Sequence, residues 1–109
     1  MQNGYGILDK NYSVLNLGEI DIVCLKDKRI VFIEVKTRNV RHETIFPIGF
    51  SINRNKRRNL KRICQIYLMK KNHPYDQEWQ VDALFINIDP ETNEKNIDHF
   101  ENILWESYY

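Results

Sequence analysis

Two β-rich segments, Glu19–Leu25 and Ile30–Lys36, are separated only by the polar run Lys26-Asp27-Lys28-Arg29. A connection this short between two strand-like segments predicts a hairpin. Side chains alternate between the faces of a strand, so the pattern also sets a register. A turn symmetric about Asp27-Lys28 pairs Lys26 with Arg29, Leu25 with Ile30, and so on down to Asp21 with Glu34. One face then carries Ile20, Ile22, Cys24, Val31, Ile33 and Val35, all apolar. The other carries Val23, Leu25, Ile30 and Phe32 near the turn, and Glu19, Asp21, Glu34 and Lys36 at the far end. A slip of one residue flips each strand and destroys this sorting.

In that register Asp21 lies across from Glu34, and Glu19 across from Lys36. Directly opposed side chains have Cβ atoms about 4.5–5.5 Å apart, and like charges there are destabilising. A hard divalent cation would offset the repulsion, because Mg²⁺ binds one or two carboxylates and keeps several waters. Beside it, Lys36 would help to stabilise charge on a phosphate. A solvated strand rim has the same composition, so the pattern alone leaves both readings open.

The remainder of the 109 residues reads as one domain spanning 1–109, without repeats or low-complexity stretches. Tyr5–Val14 is a first strand, interrupted near Asp9-Lys10-Asn11. Asn39–Phe50 holds Pro47 and Gly49 and is an irregular connection. Ser51 is a candidate N-cap, after which Ile52, Leu60, Ile63, Cys64 and Tyr67 recur at helical spacing. Proline in Asn72-His73-Pro74 ends that helix. Val81–Ile88 is a nearly continuous apolar run, the signature of a strand buried on both faces. Ile97–Ile103 is a weaker strand, or a strand turning into a short helix. The order is β-β-β-α-β-β, and the strand–helix–strand passage implies a mixed sheet. Asp82 is either a hydrogen-bonded strand-end residue or part of the charged end of the sheet.

With a net charge of +1, bulk charge excludes no partner, but its distribution is uneven. Arg54, Lys56, Arg57, Arg58, Lys61 and Arg62 crowd the first half of the helix, with Lys70 and Lys71 further on. No acids are interleaved for i,i+4 pairing. Such a run is either a solvated face or a phosphate-binding one. His42, His73 and His99 share no ligand spacing, and Cys24 and Cys64 read as buried free thiols of a reducing compartment. No apolar run approaches the ~20 residues that span a bilayer, and the N-terminus has no signal-peptide pattern. The expected location is the cytoplasm. Trp105, Tyr108 and Tyr109 form an aromatic tail suited to packing or, less simply, to base stacking.

Gly18-Glu19-Ile20-Asp21-Ile22-Val23, followed by Val31-Phe32-Ile33-Glu34-Val35-Lys36-Thr37-Arg38, gives an aspartate, a short hairpin, then E-x-K. This resembles the PD-(D/E)XK nuclease superfamily, which includes restriction endonucleases and archaeal Holliday junction resolvases. Closer still is the similarity to the YraN family of small bacterial proteins, predicted to be endonucleases. Gly4-Tyr5-Gly6-Ile7-Leu8 with Asn11, Ser51-Ile52 with Lys56-Arg57-Arg58 and Tyr67-Leu68, Val81-Asp82, and His99 with Asn102 follow that family's layout. The resemblance implies a restriction-endonuclease-like α/β core lacking the family's N-terminal helix, since the chain starts at Met1-Gln2-Asn3. Ser13 also stands where the family often has arginine. It further implies an Mg²⁺- or Mn²⁺-dependent endonuclease of structured or branched DNA. Asp21 and Glu34 would bind the metal, Lys36 would act on the attacking water, and Glu19 and Lys56 would be secondary. Arg38, Arg54, Lys56, Arg57, Arg58 and Lys61 would contact the nucleic acid. The alternative is a non-catalytic nucleic-acid-binding or interaction protein on the same fold. The missing helix leaves part of a sheet face to be covered by a partner, such as a second copy in a homodimer, or by the aromatic tail.

Overall fold

The computed structural model describes residues 4–39 and 54–104. Most of the Asn39–Phe50 connection, the N-cap Ser51 with Ile52, and the aromatic tail from Trp105 lie outside the described residues. Five strands and one helix run in the order β1 (Gly6–Val14), β2 (Gly18–Lys26), β3 (Arg29–Asn39), α1 (Arg54–Lys70), β4 (Trp79–Ile88) and β5 (Lys95–Phe100). The strands form one mixed sheet in the order β1-β2-β3-β4-β5. The β3–β4 pair is parallel and bridged by α1, while the neighbouring pairs are antiparallel. No described helix is long and apolar enough to cross a membrane.

The central hairpin pairs as the alternation requires, from Lys26↔Arg29 to Ile22↔Ile33. Asp27 (φ 51°) and Lys28 (φ 68°) both occupy the left-handed region. That is the geometry of a two-residue type I′ turn, whose twist matches the strands it joins. Strand β4 is nearly continuously buried, because one face meets α1 and the other meets the second apolar layer. The last strand lies earlier than the sequence suggested: β5 ends at Phe100, and Ile103 N returns to hydrogen-bond Val81 O at 2.7 Å.

Two apolar layers result. Val23, Ile30, Phe32 and Val81 pack under Leu60, Ile63, Cys64 and Tyr67 of α1. On the far face Cys24, Val31 and Ile33 pack with Tyr5, Ile22, Val35 and Leu84. That face is not bare, since Cys24, Val31 and Ile33 are buried. One expectation is corrected. Ile20 lies with Val23 in the helix-side layer, not with Ile22 and Cys24. The alternation breaks at Asp21, which has no partner in either ladder among the described residues, opposite Asn11 at φ 53°. β1 also carries a register shift between Ile7 and Asp9, the mark of a bulge. The interruption expected in β1 is therefore real, and it is imposed on β2 as well.

Tyr67 ties α1 to the sheet. Its ring meets Tyr12 and Phe32 edge-on at 5.0 and 5.5 Å, and its hydroxyl donates to Asp9 Oδ2 at 2.9 Å. Burial first, then the hydrogen bond and charge of Asp9, push the phenol above its ordinary value. A folded-state value above the unfolded one, ~10, gives a contribution that is complete below that pH and is lost as pH rises past it. Between pH ~9 and ~11 the melting temperature of the parent should therefore fall more steeply than that of Tyr67→Phe. Equal slopes would remove Tyr67 from the alkaline transition.

Candidate active site

The break in β2 shapes the site. Beyond the last β2–β3 pair at Ile22↔Ile33, Asp21 turns its carboxylate into the sheet, where Oδ2 accepts the amide hydrogen of Val35 at 2.7 Å. The side chain thus replaces a ladder hydrogen bond, and it is held against the residue next to Glu34. Glu34 follows Phe32 on the helix-side face and is buried at 7% exposure. A buried carboxylate needs charged or hydrogen-bonding partners. Glu34 has Lys56 Nζ of α1 at 3.3 Å from Oε2 and Lys36 Nζ at 3.7 Å from Oε1. Both lysines keep more than two-fifths of their side chains exposed, so each can exchange this partner for one in solvent.

Glu19 stands at the mouth of a cavity of about 300 Å³ between the start of β2 and the first turns of α1, with Glu34 and Lys56 on its wall. Gly18, where the chain enters β2, lines the same cavity. That residue has φ +127°, and a Cβ there would meet Ile63 Cδ1 at 3.6 Å. A side chain is strained at this φ, which accounts for glycine at the head of the Gly-Glu-Ile-Asp motif.

The sequence-derived residues are therefore partly assembled. Lys36 and Lys56 meet at Glu34, Glu19 lines the same cavity as Glu34 and Lys56, and Asp21 is held on the amide of the neighbouring Val35. Asp21 meets β3 through the strand backbone rather than as a regular cross-strand pair. Arg54, Arg58 and Lys61 are exposed on α1, whereas Arg57 is half-buried. Arg38 lies further along β3. Its guanidinium bonds Asn87 Oδ1 and Asp98 Oδ2 and stacks over Phe85 at 4.3 Å. Among the described residues no three His, Cys, Asp or Glu side chains converge into a metal-sized cluster.

The donors at hand are oxygens, the type a hard cation takes. Asp21 and Glu34 supply carboxylate oxygens on adjacent strands, with no thiolate or imidazole among them. Two carboxylates completed by water and substrate oxygens is the Mg²⁺ pattern.

Residues 1–86 match the description "Uncharacterised protein family UPF0102". The chain belongs to this family. Among UPF0102 proteins, that of Alkaliphilus oremlandii is 34% identical over 99 residues, covering 91% of this chain and 81% of the relative. The UPF0102 protein of Carboxydothermus hydrogenoformans is 33% identical over 108 residues, covering 94% and 82%. That of Moorella thermoacetica reaches 44% over 66 residues, covering 61% and 52%. Of solved structures, SfsA from Pyrococcus furiosus in complex with Ca²⁺ aligns with a TM-score of 0.37 at 16% identity, covering 91% of this chain and 55% of that one.

A second polar cluster lies on β4 of this chain. Asp82 of β4 is completely buried and accepts from Gln80 Nε2, Asn102 N and His99 Nε2 at 2.8–2.9 Å. It is a hydrogen-bonded anchor, the first of the two readings its sequence position allowed. His99, which matches no ligand spacing, is its partner. The clue was register: once β5 pairs Leu84 with His99, the imidazole lies beside the Asp82 position.

Proposed function

We propose that this UPF0102 protein is a metal-dependent endonuclease with a restriction-endonuclease-like core, acting on structured DNA. The observation that carries this reading is the buried Glu34 carboxylate between Lys36 and Lys56, with Asp21 fixed on the adjacent amide of Val35. Burial costs the carboxylate its hydration, and the two lysines that offset this cost are exposed enough to exchange partners when a ligand arrives.

Asp21 and Glu34 would hold Mg²⁺ or Mn²⁺, which supplies a Lewis acid and lowers the pKa of a bound water. The strand hydrogen bond at Val35 fixes Asp21, so its carboxylate need not reorganise on binding. Lys36, on the same strand face as Glu34, orients the attacking water and screens charge on the phosphate. Lys56 reaches the same point from α1 and can transfer its contact from Glu34 to a phosphate oxygen. Arg54, Arg58 and Lys61 on the exposed face of α1 position the backbone without reading sequence.

The exposed cations of α1, which would contact a phosphate backbone with or without chemistry at Glu34, favour a second reading, a non-catalytic DNA-binding protein on the same scaffold. One experiment separates the two: incubation with duplex, single-stranded, flapped and four-way DNA, with Mg²⁺, with Mn²⁺ and with chelator. Metal-dependent nicking lost in Asp21→Asn establishes the nuclease, and binding without nicking on every substrate establishes the alternative. In the same preparation, log K for duplex should fall linearly with log salt by about 0.9 per neutralised phosphate. Alanine at Arg54, Arg58 and Lys61 together should flatten the slope by up to about 2.7 and weaken all sequences alike. An unchanged slope would make α1 only a solvated face.

A further inference from the structure

Glu34 has two lysine partners of different origin. Lys36 stands two residues along the same strand and meets Oε1 at 3.7 Å. Lys56 comes from the first turn of α1 and meets Oε2 at 3.3 Å. Nothing in α1 from Arg54 to Lys70 is acidic, so no i,i+4 partner on its own helix draws this lysine away. The two members of the pair differ in freedom. Glu34 keeps 9% of its side chain exposed and Lys56 keeps 43%. A lysine is a point charge on a flexible four-carbon stem. The pair therefore opens from the lysine side.

A divalent cation takes carboxylate oxygens at about 2.0–2.6 Å. At Glu34 Oε2 it would lie in or beside the space that the Lys56 ammonium holds at 3.3 Å. Two positive charges this close repel, and more strongly in a buried site than in water. Lys56 and the metal therefore compete for one oxygen. A phosphate backbone ends the competition. Arg54, Arg58 and Lys61 are exposed on the same helix, so DNA drawn to them brings anions to Lys56 as well. We infer that Lys56 is a latch on the metal site, closed on Glu34 in the free protein and opened by DNA. This rests on the nuclease reading and adds its regulation. Metal loading and DNA binding then favour each other, and by linkage each raises the affinity of the other by the same factor. A metal that binds without DNA must first break the latch, so the free protein loads metal weakly and the competent site forms on the substrate.

The test measures binding only, with Ca²⁺ as the probe because it takes the same oxygen donors. Calorimetry gives the Ca²⁺ affinity of the full chain without DNA. Fluorescence anisotropy gives its affinity for a labelled duplex, with and without Ca²⁺ at constant ionic strength. Lys56→Met removes the latch and keeps an unbranched stem. It should bind Ca²⁺ about tenfold more tightly than the parent, within the usual range of coupling between sites. Ca²⁺ should then raise duplex affinity about tenfold more in the parent than in Lys56→Met, because only the parent has a latch to release. Lys56→Arg keeps the charge and should behave as the parent in both measurements. Circular dichroism reports that the variants are folded. Equal Ca²⁺ affinity of the parent and Lys56→Met overturns the latch. So does tighter Ca²⁺ binding with an unchanged effect of Ca²⁺ on DNA, which makes Lys56 only a repelling charge. Either result leaves the nuclease reading intact. Ca²⁺ binding by neither the parent nor Lys56→Met, or binding that survives Glu34→Gln, removes the metal site and overturns both readings.

Discussion

Glu34→Gln should reduce metal-dependent cleavage by roughly three orders of magnitude, about 4 kcal/mol of barrier, while metal-free DNA affinity stays level or rises. The substitution keeps the shape of a side chain that is 7% exposed and deletes its charge. Two lysines now facing Glu34, at 3.3 and 3.7 Å, lose their anion and become available to phosphate. Both are well exposed, so they relax into solvent without a large stability loss. Asp21→Asn should match it in cleavage for a different reason. An asparagine oxygen can still accept from Val35 N, so the strand junction survives and only the charged metal ligand goes. Thermal melting gives an independent readout: the increase expected with Mg²⁺ or Mn²⁺, RT ln(1 + [L]/Kd), should vanish in both variants. Undiminished cleavage by Glu34→Gln would remove this residue from the chemistry.

The hairpin was legible because its two constraints agree. Alternation from Ile30 to Lys36 and a polar linker of the right length allow one register, and the pairing from Lys26↔Arg29 to Ile22↔Ile33 follows it. The long apolar run of β4 was readable for a similar reason, since only a strand covered on both faces tolerates it. Asp21 is where the reading stops working. Periodicity assumes an unbroken pleat, but Asn11 at φ 53° ends it, and no hydropathy pattern records a backbone dihedral. Ile20 consequently changes face, and Asp21 acts through the backbone of β3. In the sequence Arg38 is one more basic residue, two positions after Lys36. Its tie to Asn87 and Asp98 depends on the parallel β3–β4 register, a contact between residues far apart in sequence.

Asp82→Ala should destabilise the fold by roughly 2–6 kcal/mol, about 1–3 kcal/mol for each of the two buried donors left without an acceptor, and lower the melting temperature by on the order of 10 °C or more. Asp82 has no exposed surface, and one carboxylate organises three segments. Oδ1 accepts from Gln80 Nε2 and from Asn102 N at 2.9 Å, while Oδ2 meets His99 Nε2 at 2.8 Å. Gln80 in turn accepts from Arg29 at 2.9 Å, extending the network to the hairpin. Alanine leaves Gln80 Nε2 and the Asn102 amide without their acceptor, and buried donors deprived of a partner cost more than the bond itself contributed. Asp82→Asn separates charge from hydrogen bonding. Its oxygen can serve Gln80 and Asn102, and its amide can donate to His99 Nε2 when the imidazole carries its proton on Nδ1. Its loss should therefore be less than half that of alanine. Because Asp82 lies on the sheet face away from α1, neither change should alter the salt dependence of DNA binding by the folded fraction. Chemical denaturation supplies the free energies, and a salt titration below the transition supplies the slope. If Asp82→Asn is as destabilising as alanine, the network depends on the carboxylate charge rather than on its acceptor geometry. If the slope changes with either variant, the two faces of the sheet are coupled.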